Sequence, residues 1–259
     1  MRCGYTPHFF MSYQNNIYTG TSNIVLPVPN KQHFPPNYRD KSRLCYYASI
    51  FNSLEVNSSF YKIPMQSTVQ KWAADVPADF KFTFKLWKGI THNKDMAFDP
   101  ADVDRFIRVI NGAGDKKGCL LIQFPPSVTI NPIQLTRLLS AIINADAQRE
   151  WKVAIEFRHK SWYRDDVYEL LDQFQMVMVL HDMPASATPM IDNDVPFAFL
   201  RFHGPSGGYR GSYADDFLAE YASYINEWRE DGKTVFAYFN NTMGDALQNV
   251  ITLDRFIGI

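Results

Sequence analysis

Eight short runs of apolar, β-branched or aromatic residues recur along the chain. They fall at Ile17–Ser22, Ser53–Ser58, Lys81–Leu86, Leu120–Phe124, Val153–Phe157, Val177–His181, Ala198–His203 and Val235–Asn240. Between most of them the apolar spacing changes to that of a helix. Ser67 and Gln70 form a capping box ahead of Val69, Trp72, Ala73 and Val76. Asp99-Pro100 and Asn131-Pro132 each supply an N-cap followed by proline at the first helical position. Val167, Leu170, Leu171 and Phe174 form a further stripe, and Phe217, Tyr221, Tyr224, Ile225 and Trp228 another. The Pro-rich stretch from Met183 to Pro196 reads as loop. Strands that alternate with helices pair in parallel, and eight such units can close on themselves.

The expected fold class is therefore α/β, a (β/α)8 TIM barrel with eight parallel strands inside and helices outside. The length of 259 residues agrees with the ~250 typical of such a domain. A doubly wound open sheet is the competing arrangement, and no Gly-x-Gly-x-x-Gly turn supports it. Residues 17–259 are expected to form one domain. Residues 1–16 show no periodicity and are expected to be a poorly ordered extension, in which Met11 is an alternative start.

Alternation within the strands carries functional information. One parity is apolar: Val56, Phe84, Ile122, Phe157, Leu180, Phe202 and Phe239. That face is expected to pack beneath the helices. The other parity is polar near the C-terminal strand ends: Glu55 and Asn57, Lys85, Gln123, Glu156 and Arg158, His181, Arg201 and His203, then Asn240. Side chains alternate faces with period two, so this set should point inward. In such barrels the C-terminal mouth holds the chemistry. The structural alternative is a set of buried ion pairs with no further role, because an unpaired charge at these positions would cost several kcal/mol.

Bulk properties narrow the partners. A net charge of −1 offers no general attraction to nucleic acid or anionic membrane. Cys3, Cys45 and Cys119 are odd in number and form no Cys-x-x-Cys pair, which argues against a disulfide framework and fits a reducing cytoplasm. No apolar run reaches the ~18 residues of a membrane span, so the expected location is cytoplasmic. The sequence leaves the oligomeric state open.

The segment Phe51-Asn52-Ser53-Leu54-Glu55-Val56-Asn57-Ser58-Ser59-Phe60-Tyr61 resembles the signature of the YecE-like family, number seventy-two among the domains of unknown function. Ile90-Thr91-His92, Gln123-Phe124-Pro125-Pro126 and Glu156-Phe157-Arg158-His159-Lys160-Ser161-Trp162 follow in that family's order. So do Arg201-Phe202-His203-Gly204, Gly211-Ser212-Tyr213 and Tyr238-Phe239-Asn240-Asn241. The likeness runs from about Tyr18 to the C-terminus. It departs after Gly20-Thr21-Ser22, where Asn23-Ile24 stands in place of the family's Gly-Trp. The resemblance implies a TIM barrel and brings no reaction with it.

The residues themselves suggest an enzyme with carboxylate and imidazole acid–base chemistry on a small anionic substrate, such as a phosphorylated or carboxylated sugar or nucleotide. Glu156 is the expected acid or base, with His203 or His159 as its partner. Lys85, Arg158 and Arg201 are expected to hold the anion, Arg offering a planar fork for carboxylate or phosphate. Glu55, His92, Asn57, Gln123, Asn240 and Asn241 supply further polar contacts, and Tyr61 and Trp162 are candidate walls for a sugar or base.

Two other readings compete. Metal-assisted hydrolysis of the AP-endonuclease type would draw on Glu55, His92, Glu156, His181, Asp182 and His203. Against it, the ligands are not densely spaced, His181 and Asp182 lie on opposite parities, and three cations are close by. The expectation is no metal and no cofactor. A non-enzymatic barrel binding nucleic acid or a ligand is the third reading, disfavoured by the missing basic stripe. Gly207-Gly208, ahead of Gly211, reads either as a mobile lid or as an ordinary loop.

Overall fold

The computed structural model describes residues 16–191 and 193–259. Except at Asn16, the expected N-terminal extension lies outside the described residues. Nine strand segments are present among them: β1 (Ile17–Thr21), β2 (Ser53–Val56), β3 (Lys81–Lys85), β4 (Lys117–Gln123), β5 (Lys152–Glu156), β6 (Val177–Met178), β7 (Leu180–His181), β8 (Phe197–Phe202) and β9 (Thr234–Phe239). Each expected run thus yields a strand, apart from the sixth, which yields two. All pairings are parallel. The strands group as a four-stranded sheet in the order β1-β9-β8-β7 and a five-stranded sheet in the order β2-β3-β4-β5-β6. The chain therefore has an α/β fold with parallel sheets, grouped in two rather than in the single ring expected.

Local bonding explains the grouping. Val179 alone separates β6 from β7. Its N–H still donates to Ile155 O of β5 at 2.8 Å, but its carbonyl accepts from Thr188 Oγ1 at 2.8 Å. A loop hydroxyl thus takes the carbonyl that would have accepted the next N–H of β5, and the β5–β6 ladder ends there. Where β1 approaches β2, Ser22 forms a bridge with Glu55, and Asn23 N–H donates to Glu55 O at 2.9 Å. Gly20 permits this approach, since a Cβ there would lie 2.1 Å from Ser53 O.

The helices are α1 (Arg43–Tyr47), α2 (Ser58–Tyr61), α3 (Gln66–Ala74), α4 (Lys88–Thr91), α5 (Pro100–Ile110), α6 (Pro132–Ala145), α7 (Asp165–Gln173), α8 (Asp215–Glu230) and α9 (Ala246–Ile257). Asp99 and Asn131 cap α5 and α6 as their sequences predict, accepting from Ala101 N–H and Gln134 N–H. The Ser67–Gln70 box goes unused: α3 starts two residues earlier, with Met65 at the N-cap and no side-chain bond. Among the described residues no helix lies between β7 and β8. The C-terminal α9 adds to the expected set and ends on Gly258 in the left-handed conformation.

Burial follows the parity. Val56, Phe84, Ile122, Phe157, Phe202 and Phe239 join the large apolar cluster that includes the helix faces, with Leu180 packed partly against it. A separate cluster on the opposite strand face holds Cys119, Leu121, Ala154, Val177, Val179, Phe197, Phe199, Phe236 and Tyr238. The polar strand-end residues share this second face. Cys119 is a buried free thiol. Cys45 is disulfide-bonded, contrary to the expectation from cysteine spacing. Among the described residues no helix is long and apolar enough to cross a membrane.

Candidate functional site

Arg201 is at the centre of the polar face. β8 places it with 1% of its surface exposed, between two carboxylates with none. Its Nε donates to Glu55 Oε2 at 2.8 Å and its Nη2 to Glu55 Oε1 at 2.5 Å, a two-pronged pairing. Its Nη1 donates to Glu156 Oε2 at 2.8 Å and to His203 Nε2 at 3.2 Å. Ser22 Oγ donates to Glu55 Oε1 at 2.6 Å. The second oxygen of Glu156 accepts from Arg158 Nε, and Arg158 Nη2 donates to His203 Nε2 at 2.8 Å. Strands β2, β5 and β8 thus meet in one buried ionic network.

The network fixes protonation. Burial opposes ionisation of Glu156, but Arg158, Arg201 and His203 outweigh it and hold the carboxyl well below its usual range. Burial, then Glu55 and Glu156, set Arg201, and the two carboxylates prevail, so its guanidinium stays charged. His203 is lowered to about 4, mainly by burial and against the pull of Glu156 and Asp182. It is therefore neutral near pH 7. Guanidinium groups only donate, so His203 Nε2 is the acceptor and Nδ1 carries the hydrogen. Nδ1 faces Asp182 Oδ1 at 3.3 Å, and the same oxygen accepts from His203 N–H at 2.7 Å. Asp182 is held in turn by the Tyr213 hydroxyl.

This changes the expected division of labour. Glu156 and His203 were the expected acid–base pair. Instead, Glu156 is an ionised counterion with both oxygens occupied, and the free lone pair of His203 is spent on two arginines. His159, the other expected partner, caps a short turn: its Nδ1 accepts from Ser161 N–H at 3.2 Å and lies 2.8 Å from Ser161 Oγ. Trp162 is not a ligand wall. It is fully buried, stacks on Phe157 and Phe124, and donates from Nε1 to Val128 O. Tyr61 is 68% exposed beside Phe60. Asn241 is buried and bonds Gly211 O and Asn249 Oδ1, which is loop support.

Other expected members lie apart from these bonds. Lys85 ends β3 with 9% of its surface exposed. Its Nζ lies 4.2 Å from the centre of the Phe60 ring, with no hydrogen-bond or ion-pair partner at contact distance among the described residues. Burial, reinforced by Arg201, brings its amine down to about 7 against the attraction of Glu156 and Glu55. The β2–β3 register pairs Val56 with Phe84, which sets Asn57 next to Lys85. Asn57 Oδ1 is buried without a partner. Gln123 bonds Phe124 O at 2.8 Å, and Asn240 is half-buried after β9. His92 lies outside the network, in edge contact with Phe60 and bonded to Thr91 Oγ1.

The glycine-rich segment after β8 is fastened rather than lid-like. Tyr209 N–H donates to His203 O, Met243 N–H to Tyr209 O and Asp245 N–H to Gly211 O. Gly204, at a φ of +100°, has no room for a Cβ, which would lie 2.1 Å from Arg210 O. Among the described residues no three His, Cys, Asp or Glu side chains gather as a metal site. Glu55 and Glu156 serve Arg201, and His181 Nε2 lies 2.9 Å from Phe157 O. Sequence reasoning missed Ser22, Tyr213 and the orienting role of Asp182. Ser22 closes the first expected run as a small hydroxyl that parity does not single out, Tyr213 lies outside the strand segments, and Asp182 follows β7 on the opposite parity.

The chain is similar to several known proteins. The UPF0759 protein YunF of Bacillus subtilis (strain 168) is 26% identical over 247 residues, covering 83% of this chain and 86% of that protein. A crystal structure of a DUF72 family protein from Enterococcus faecalis V583 superposes with a TM-score of 0.76 at 21% identity, covering 94% of this chain and 96% of that one. A xylose isomerase-like TIM barrel/4-hydroxyphenylpyruvate dioxygenase fusion protein gives a TM-score of 0.54 at 14% identity, over 93% of this chain and 43% of that one. At these identities the structural likeness concerns the fold alone. Residues 18–259 match the family model described as protein of unknown function DUF72, and the chain belongs to that family.

Proposed function

We propose that the two sheets close into a single eight-stranded barrel over residues 17–259, and that its C-terminal mouth is the active site of an enzyme acting on a small carboxylate- or phosphate-bearing substrate. Closure is supported at both seams, by the Ser22–Glu55 bridge and by the single residue between β6 and β7. The observation that carries the anion reading is what the network leaves over. Glu55 and Glu156 absorb Arg201, which uses four of the five guanidinium N–H donors. Lys85 Nζ and Arg158 Nη1 remain without a partner among the described residues. Asn57 adjoins Lys85 in register and Gln123 pairs with Glu156, two neutral hydrogen-bonding groups for hydroxyls, and Asn240 at the end of β9 would be a third.

The acid–base role passes from Glu156 to Lys85. A proton-transfer group works best with a pKa near the ambient pH, and the amine of Lys85 lies at about 7. Glu156, as a fixed counterion, keeps Arg158 and Arg201 in place.

Thermal unfolding in the presence of inorganic phosphate or acetate tests the site. Saturable stabilisation by millimolar anion is expected, with apparent affinity weakened about tenfold in Lys85→Met and in Arg158→Lys, a loss of about 1.4 kcal/mol each. Arg158→Lys keeps a charge for Glu156 while removing Nη1. No saturable stabilisation by either anion would rule the reading out.

A further inference from the structure

We infer that Lys85 is an amine nucleophile that forms an imine with a small carbonyl compound carrying a carboxylate or phosphate. This rests on the anion reading above and specifies its substrate class.

The inference starts from how the amine is held. Ser59 Oγ is 2.7 Å from both Val56 O and Lys85 O, which ties the start of α2 to the end of β3. The next residue, Phe60, is thereby placed with its ring 4.2 Å from Lys85 Nζ. Tyr61 and His92 pack edge-on against that ring, at 5.0 and 4.9 Å. One side of the amine is therefore aromatic, and the carboxylates on the other side are committed to arginine. A lysine with a role only in structure would be expected to carry an ion pair or reach into water. Lys85 does neither: it is largely buried, with the face of the Phe60 ring as its contact and no oxygen acceptor among the described residues. Desolvation and neighbouring guanidinium charge are the two conditions that leave a lysine amine unprotonated and reactive, and burial followed by Arg201 are the leading causes here.

In the step itself, the Nζ lone pair forms a bond to the carbonyl carbon. Both amine protons leave with the carbonyl oxygen as water, and C=N replaces C=O. Arg158 Nη1, free on the same face, would hold the carboxylate or phosphate while this happens.

Reductive trapping tests the inference. The full-length protein is incubated with pyruvate, dihydroxyacetone phosphate or uncharged propionaldehyde, each with sodium cyanoborohydride, and modified peptides are mapped by mass spectrometry. The borohydride delivers hydride to the imine carbon and water protonates nitrogen, leaving a stable secondary amine. Pyruvate or dihydroxyacetone phosphate should label Lys85 at least about tenfold faster than any other lysine. Lys85→Met should lose this adduct while its circular dichroism is unchanged. Labelling no faster at Lys85 than at surface lysines would overturn the inference. If phosphate still stabilised the protein in that case, the anion site would stand and only the amine role would fall. Preferential labelling of Lys85 by all three carbonyls alike would keep the nucleophile and remove the anion preference.

Discussion

A neutral imidazole between two guanidinium groups makes His203 sensitive to acid. Its folded value is about 4, below the ordinary 6.5. Between those limits the unfolded chain binds a proton that the folded chain refuses, so stability falls as pH drops through the window and levels off below it. The full effect is about 3 kcal/mol. Urea unfolding at pH 7 and pH 4.5 should therefore show wild type losing more stability on acidification than His203→Gln. Equal losses in the two proteins would mean that the imidazole is already protonated in the fold. At this scale much of the site was legible from strand parity, because facing is decided by odd and even position alone. Pairing was not: which carboxylate meets which guanidinium depends on the separation of β2, β5 and β8 in space. Aromatic roles were also hidden, and Trp162 and Tyr61 fell to opposite extremes of exposure.

Among the elements, α9 carries a cost that can be removed. Asp254 turns toward β1, where its Oδ1 is buried without a hydrogen-bond partner. Burial raises its carboxyl to about 7, with Thr19 pulling the other way. An acid raised in the fold weakens the fold as pH climbs from about 4 to 7, and the penalty is complete above 7. Asp254→Asn should stabilise the protein by about 1 to 2 kcal/mol at pH 8 and by almost nothing at pH 4, read as the shift in denaturation midpoint. A gain of the same size at both pH values would show that charge is not the cause. The stripe Ala246, Val250, Leu253 and Ile257 made α9 itself readable from sequence, although a reading that begins from strands passes over it. The caps at Asp99 and Asn131 were readable because capping acts over three residues. The break at Val179 was not, since it depends on Thr188 folding back nine positions along the chain.

For the molecule as a whole, polar side chains do what the backbone ladder does not. Arg201 belongs to the four-stranded sheet, and both of its carboxylate partners belong to the five-stranded one. Tyr238 repeats the crossing one layer down, its hydroxyl 2.5 Å from Ser53 Oγ and 2.8 Å from Thr83 Oγ1. Arg201→Met should cost about 3 to 5 kcal/mol, because two carboxylates would stay buried with too little positive charge. Adding Glu55→Gln should recover part of that loss in the same equilibrium unfolding experiment, and a further loss would contradict the assignment. The same network has a consequence for encounter with ligands. Glu55, Glu156 and Asp182 stand against Arg201, Arg158 and a partly charged Lys85, so opposite charges nearly cancel within a few side-chain lengths. Seen from beyond a Debye length, about 8 Å at physiological ionic strength, the mouth exerts almost no pull. If the proposed function holds, an anionic ligand would arrive by unaided diffusion and be sorted only on contact, where Lys85 and Arg158 would act at short range.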